Sequence, residues 1–445
     1  MKNLKNKRLI IALFAGFTCL SINAQQIWSL NACIDTALKK NISLNQEQLT
    51  CQINKINFAQ SKAGLFPNLN MNDEHSFSSG NSLDPYTNQY TNRNISNNNL
   101  SLNSSVTLFN GYLLLNTVKQ NKLIYEAGML DFEKIKNDIM LYVLAGYMQI
   151  LMDYEAIDAA QAQVEATNTH MDQTQKFVDF GKVSELNLLQ IQSQLAADKL
   201  TKVSAENQLQ LDKLILLQLM ETPVTDNFEI ERQKLMELFP EIPVSTEEID
   251  KISLNFLPQI KSASLKTKAS LFSLKMAESG RFPKLMLGGI IKTGYSSIKN
   301  DPFSGQFKNN FSQVVDLTLA VPIFNNFLIK SSVAIAKIDV LNMQWNEQQT
   351  KNDLRKNIET VYTNQVLAGK KLTATEEQMA LEKRTYLDME KKYSVGALSA
   401  TDFLIEANNF NKVSMSLIQA KYDYVLKAKM VDFYLGKPFN SSITR

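Results

Sequence analysis

Four stretches of this chain place an apolar residue at every second position. Over 98–110, Leu100, Leu102, Val106 and Leu108 fall on one face and Ser101, Asn103, Ser105 and Thr107 on the other. Over 312–325, Val315, Leu317, Leu319, Val321 and Ile323 alternate with Asp316, Thr318, Ala320 and Pro322. Within 65–77, Leu69, Met71 and Phe77 alternate with Asn68, Asn70 and Asn72. Within 282–295, Leu285, Leu287, Ile291 and Tyr295 alternate with Lys284, Lys292 and small residues. A period of two predicts strands. The remaining pattern is helical. It predicts helices over 42–62 and 258–278, where Pro258 suits a first turn. It predicts much longer ones over 112–178 and 327–393, which contain no proline. Short breaks at Gly181 and Gly396 precede further helices to Glu221 and Leu435. A helix of ~67 residues reaches ~100 Å.

The helical surfaces are polar over much of their area, which suits a wall with water on two sides better than a solid core. From 186 to 217 a heptad frame puts Leu186, Leu200 and Leu214 at one seam position. Leu189, Ala196, Val203 and Leu217 occupy the other, with Ser193, Asn207 and Gln210 as interruptions. Coiled-coil-like packing is expected there.

The pattern occurs twice. "AGLFPNLNM" at 63–71 is echoed by "SGRFPKLML" at 279–287, an offset of 216 residues. "VTLFNG" at 106–111 pairs with "VPIFNN" at 321–326, and "GKVSELNLL" at 181–189 with "GALSATDFL" at 396–404, both at 215. Asp84-Pro85-Tyr86 pairs with Asp301-Pro302-Phe303, and Pro223 with Pro438. Correspondences in one order at nearly one offset indicate an internal duplication. The expected organisation is a leader over 1–24, a first repeat over 25–222, a connector over 223–257, a second repeat over 258–437 and a tail over 438–445. In each repeat a helix ends near Gly64 or Gly280, and Phe66-Pro67 or Phe282-Pro283 turns the chain into a strand. Proline cannot continue the helix and biases the residue before it toward extended geometry.

The leader changes the charge. "MKNLKNKR" is a positive start, "LIIALFAGFTCL" an apolar run of 12, and "INA" a small-residue cleavage site. That is the form of a secretory signal, and a membrane-spanning helix needs about 20 residues. Four of the 47 basic residues leave with it, so 43 face 44 acidic ones. No basic excess points to nucleic acid. Cys33 and Cys51 remain; on one helix they would lie ~27 Å apart, too far for a disulfide. His75 and His170 have no partnering Cys or carboxylate motif, and no phosphate loop or metal-ligand spacing occurs. The chain is therefore expected to be no enzyme and to need no cofactor or metal.

The strands are two-faced and of membrane-crossing length. Aromatic residues at their ends (Phe66, Phe109, Tyr112, Phe282, Phe324, Phe327) fit an interfacial girdle. A soluble sandwich is the alternative, but nothing evident would cover the apolar faces. Four strands cannot close a barrel, and an open edge is not tolerated in lipid. A dimer would give eight strands and a filled interior; a trimer would give twelve and a lumen. The rival is a periplasmic coiled-coil adaptor or scaffold without membrane insertion.

These features together resemble TolC-type outer-membrane efflux proteins. The resemblance rests on "GLFP" and "GRFP" before first strands, "LFNG" after a second strand, "YSVGALSATDFLIEANNF", and the doubled strand–strand–long-helix order. The "INAQ" junction is similar to that of Bacteroidetes secreted proteins. The resemblance implies a fold in which long α-helices form a coiled-coil barrel and four strands per chain enter a trimeric twelve-stranded transmembrane β-barrel. It implies a homotrimer in the outer membrane, with its helical barrel in the periplasm. Such a trimer passively conducts small molecules, drugs or proteins from a periplasmic adaptor and an inner-membrane pump. The hairpins around Gly181 and Gly396 match the family's tunnel tip. Gly181, Ser184, Gly396 and Ser399 match its adaptor-facing segments, although Ser184 and Ser399 are also good N-caps. Asp402 matches a carboxylate ring at the constriction, although a capping aspartate explains it equally. Tyr393 matches a latch tyrosine. Asn187 stands where the family often has Asp, Ile405 at its second acidic position, and Leu398 in place of a latching arginine.

Overall fold

The computed structural model describes residues 27–83, 88–92, 94–224, 228–232 and 245–437. The leader, the Asp84-Pro85-Tyr86 phrase, residues 233–244 of the connector and the tail lie outside the described residues. In chain order the elements are β1 (Ile27–Trp28), α1 (Leu30–Lys40), α2 (Ile42–Ala63), β2 (Asn68–Ser78), β3 (Asn81–Leu83), β4 (Tyr90–Asn92), β5 (Ile95–Phe109), α3 (Leu113–Asp179) and α4 (Glu185–Leu219). They continue as β6 (Glu229–Ile230), α5 (Thr246–Phe256), α6 (Pro258–Ser279), β7 (Lys284–Ser296), α7 (Phe303–Asn309), β8 (Ser312–Ala320), α8 (Leu328–Ser394) and α9 (Ala400–Tyr434). The duplication holds for the long helices and the four long strands, while β3 and β4 in the first half stand where the second has α7. Helices of 11, 22, 67 and 35 residues appear in that order in both halves.

The four long strands form one antiparallel sheet in the order β2-β5-β7-β8, leaving β2 and β8 as its edges. Register gathers the alternating apolar positions on one side. Met71 lies opposite Leu102, which lies opposite Ile291. Val106 lies opposite Leu287, which lies opposite Leu317. The reverse side carries Asn70 beside Asn103, Ser101 beside Lys292, and Asp316 beside Gly288. The apolar side is uncovered: Leu69, Met71, Val315, Leu317 and Leu319 are all exposed. Above this band the same side turns polar, where Asn98 Nδ2 donates to Asp73 Oδ1 at 2.6 Å and lies 3.0 Å from His75 Nε2.

β8 ends at Ala320, five residues short of the expected boundary. Pro322 has no N–H for the ladder, so Val321 and Ile323 leave the sheet and stand exposed. Each repeat then enters its long helix through two residues of positive φ: Gly111 and Tyr112 (both 66°) before α3, and Asn326 (52°) and Phe327 (59°) before α8. A Cβ on Gly111 would lie 2.7 Å from the Ser279 carbonyl oxygen and 2.9 Å from Phe282 Cβ, so glycine is required there by conformation and space alike.

The helices make one layer that changes membership half-way. Beside the sheet, α2, α3, α6 and α8 lie side by side in the order of the strands they adjoin. At the far end the order is α4, α3, α9, α8. Only α3 and α8 run through both halves. At the changeover, α1 packs on α3, α5 on α8, and β1 pairs parallel with β6. The main core lies there, with Cys33, Val143, Leu144, Tyr147, Ile150 and Leu216 buried together. Asn41 separates α1 from α2. It caps α2 through Leu44 N–H (3.2 Å) and donates to Leu219 O (3.1 Å). Cys33 and Cys51 therefore occupy different helices. Both are free, and Cys51 is only half-buried.

The heptad seam expected on α4 is not the one that packs within the chain. Leu186, Leu189, Ala196, Leu200, Val203 and Leu214 are exposed, and of that set Leu217 alone is buried. The buried stripe runs through Leu188, Ile191, Leu195, Asp198, Leu209, Asp212 and Leu216. α4 thus carries two stripes, and aspartates at two positions hide the inner one from a hydrophobic pattern. Asp198 accepts from Thr167 Oγ1 (2.6 Å) and Gln194 Nε2 (2.8 Å), which satisfies its buried carboxylate.

Gly111→Ala should destabilise the folded chain by about 1–2 kcal/mol from its left-handed backbone alone, plus the Ser279 clash. Gly64→Ala, at a right-handed position with no contact closer than 3.5 Å, should leave the thermal midpoint nearly unchanged. Melting of both variants in detergent checks this.

Candidate functional site at the hairpin tips

The far end of the helical layer consists of two turns. α3 stops at Asp179 and α8 at Ser394, each followed two residues later by a left-handed glycine: Gly181 at φ 68° and Gly396 at φ 79°. Lys182 N–H donates to Phe177 O (2.8 Å), and Ala397 N–H to Lys392 O (2.9 Å). These bonds close both helix C-termini around the glycine. A Cβ on either glycine would meet nothing within 4 Å, so conformation and not space demands glycine, and both turns face open solvent.

The two serines differ. Ser399 Oγ accepts from Asp402 N–H (3.1 Å) and donates to Asp402 Oδ2 (2.7 Å), a reciprocal cap. Ser184 occupies the same place before α4 but makes no side-chain cap bond. Asp402 is exposed and engaged in that cap; Asn187 is half-buried, with its N–H on Ser184 O at 3.0 Å. Tyr393 does not share this setting. It is 4% exposed and buried between the hairpins.

Tyr393 belongs to a clasp that joins hairpin α3–α4 to hairpin α8–α9. Its ring stacks on Phe403 (4.6 Å, 9°), and its hydroxyl is hydrogen-bonded to Thr174 Oγ1. His170 meets Phe403 edge-on at 4.5 Å and Tyr393 at 5.9 Å. Ile191, Ala400 and Phe403 complete the buried cluster. Around it Gln173 donates to Ser394 O (3.1 Å), and Gln194 and Asn408 exchange amide bonds at 3.0 and 3.1 Å. His170 and Thr174 carry no sequence motif. Their signal was the i, i+4 spacing that places both on one helical face. Burial lowers the pKa of His170. Glu390 Oε1 lies 3.6 Å from its Nε2 but is itself 38% exposed, so water screens that attraction.

The junction residues lie at the opposite end. Phe66 N–H donates to Ala63 O and Phe282 N–H to Ser279 O, both at 3.0 Å, as final helical turns. Strands begin one residue after Pro67 and Pro283. Gly64 and Gly280 are right-handed, so neither helix ends by a left-handed cap. Phe66, Tyr112, Phe324 and Phe327 stand 61–73% exposed at this level, and Phe109–Tyr112 and Phe324–Phe327 make matching edge-on pairs at 5.5 and 5.7 Å.

A sequence model described as outer membrane efflux protein matches residues 33–221 and 253–437, one match to each half of the duplication. The chain belongs to the outer membrane efflux protein family. This is a family of passive channels, and the chain is not an enzyme. As a member of the efflux family it resembles the toxin and drug export protein A of Aggregatibacter actinomycetemcomitans, at 22% identity over 73% of this chain and 69% of that protein. Its fold is that of VceC of Vibrio cholerae, with a TM-score of 0.78 at 15% identity, over 92% of this chain and 97% of that one. It is also that of the CmeC outer membrane channel of Campylobacter jejuni, with a TM-score of 0.76 at 19% identity, covering 92% and 85%. CusC gives 0.80 at 18% identity, covering 92% of both chains.

The lowered pKa of His170 fixes the sign of a pH effect on the clasp. A neutral imidazole suits the buried site, while the separated state titrates near ~6.5. As pH falls through that value the separated state takes up a proton first, so the clasp weakens on acidification. Hydrogen exchange of amides 170–175 and 390–403, corrected for intrinsic rates, should accelerate between pH 7.5 and 5.5. In His170→Gln the corrected rates should be flat over the same range.

Proposed function

We propose that this chain is the outer-membrane exit duct of a tripartite efflux or type I secretion system. Three copies pair β8 of one with β2 of the next and close a twelve-stranded barrel whose apolar side faces lipid. The observation that carries the reading is a four-stranded sheet with two open edges and one uncovered apolar face, joined directly to helices ~100 Å long. In lipid such edges must be paired, since no water is present to satisfy them. The helical layer supports the same closure. α2 exposes Leu49, Ile53 and Ile56, and α4 exposes Leu186, Leu189, Leu200, Val203 and Leu214, all on one flank. α8, on the other flank, exposes Ile335, Ile338, Leu341, Trp345, Leu367 and Leu381. Among the described residues no helix is long and apolar enough to cross a membrane, so the strands carry the crossing.

In this reading the helices extend the pore into the periplasm as a tube. The tip turns meet a periplasmic adaptor and, through it, an inner-membrane pump, as the resemblance implies. Ser184, free of a capping bond, is the better placed of the two serines to contact such a partner. Asp402 from three copies forms the narrow ring, with Asn187 beside it on the other hairpin. Tyr393 acts indirectly, by clasping the hairpins that carry them.

Leu200→Asp should abolish the trimer while leaving the protomer helical, because Leu200 is 67% exposed in the single chain. Leu195→Asp, on the buried stripe, should unfold the chain. Size-exclusion chromatography with circular dichroism separates the two outcomes. A Leu200→Asp variant that remains trimeric would overturn the assembly. Recovery of the wild-type chain in the soluble periplasm would overturn the membrane reading in favour of a scaffold.

In planar bilayers, Asp402→Ala should raise conductance and relieve divalent-cation block at least several-fold. Unchanged values would remove Asp402 from the constriction.

A further inference from the structure

Near the changeover of the helical layer, the α3–α4 seam buries two carboxyl groups against each other. Asp153 on α3 is 4% exposed and Asp212 on α4 is 8% exposed. Asp212 is the carboxyl that adjoins Asp153 across the packed helices. Each takes one amide donor from four residues earlier on its own helix. Gln149 Nε2 donates to Asp153 Oδ1 at 3.2 Å, and Gln208 Nε2 to Asp212 Oδ2 at 2.9 Å. Asp153 Oδ2 is buried and receives no donor at all. Gln149 and Asp212 also line an open cavity of about 610 Å³, together with Asn41, Tyr142, Gln218 and the acidic Glu221, so solvent meets the pair on its Asp212 side.

Two ionised carboxylates do not stay in contact in a buried seam unless something positive lies between them. The surrounding charges are committed elsewhere. Lys213, next to Asp212, sits 2.9 Å from Glu229. Tyr154 is hydrogen-bonded to the same Glu229. Arg232 lies over the Tyr154 ring and 3.6 Å from Asp158. From α9, Tyr422 donates to Glu155 at 2.9 Å. Among the described residues no third His, Cys, Asp or Glu joins the pair. Both neighbouring amides turn nitrogen toward it, whereas a divalent metal asks for more oxygen ligands.

We propose that Asp153 and Asp212 form an acid pair holding one exchangeable proton between Asp153 Oδ2 and Asp212. The proton supplies the donor that Asp153 Oδ2 lacks and leaves the pair with a single negative charge, which the two glutamine amides solvate. Uptake and release transfer one proton to or from water in the cavity, with no other bond made or broken. Burial, with the adjoining carboxyl, pushes Asp153 up to about 7. A carboxyl raised in the fold binds its proton more tightly folded than unfolded. The stability it contributes is full below ~4, the ordinary carboxyl value, and is lost as pH rises through about 7. The pair is therefore a proton-operated fastener of the α3–α4 seam, and alkaline conditions loosen it.

The test uses the full chain in detergent, with Asp212→Asn and Asp153→Asn. Either amide supplies a permanent donor in nearly the same shape. Both variants should gain on wild type in thermal midpoint as pH rises from 5 to 8, by about 2–4 °C. Wild type should show the infrared carbonyl stretch of a protonated carboxylic acid at pH 6, lost at pH 9 and absent from either variant. The infrared arm stands on wild type alone, so a variant that fails to fold does not decide the matter. No protonated-acid band in wild type at pH 6 overturns the proposal. So does a wild-type midpoint that rises with Mg²⁺ or Ca²⁺ and falls with chelator, which would assign the site to a divalent cation instead.

Discussion

The surface chemistry of this chain follows from the unpaired backbone at the two edges of a four-stranded sheet. Strands β2 and β8 each present an edge that pairs with no other strand among the described residues. Their apolar side stands exposed, with no helix over it among the described residues. In water such edges invite pairing, and in hydrocarbon they cannot be left open. The helices inherit the constraint because they continue the strands in the same lateral order. In the proposed trimer a layer that closes at the sheet must also close at the helices, which accounts for the apolar residues on both flanks of an otherwise polar surface.

The interior of the protomer obeys a different rule. The main core is concentrated at the changeover, where six elements meet and Tyr147 donates to Glu231 O at 2.9 Å. Toward the tip the packed contacts thin to single stripes, and polar side chains take over positions that a coiled coil would give to leucine. Asp198 with Thr167, and the Gln194–Asn408 amide pair, hold helices together by directional bonds. Such bonds are directional and fix the register of the helices closely.

Much of this was legible before any coordinates. Duplication, the four strands and the lengths of the long helices came from periods and offsets, because a strand with one wet face and a helix without proline leave strong local signals. The boundaries moved by one to three residues, except at β8, where Pro322 removed a ladder donor. The α4 surface was legible only in part. A helix with two neighbours carries two stripes, and the one that packs in the chain contains Asp198 and Asp212, which no hydrophobic pattern registers. At the tip, Gly181 and Gly396 were readable because only a left-handed backbone needs glycine there. The clasp was not, since His170 and Thr174 lie more than 200 residues before Tyr393 and Phe403 and meet them only through the fold.

Matched lengths in the two halves carry a geometric consequence. Paired helices of 67 and 35 residues mean that both hairpins of a protomer reach the same depth, and rotational symmetry would repeat that depth around a ring. An insertion of one heptad in α3 and α4 alone would push one turn out by ~10 Å and leave a crenellated rim where a flat one had been. The span of the tube is thus held in duplicate within a single chain. It can lengthen or shorten over evolutionary time only by changes made twice, in step, at sites about 215 residues apart.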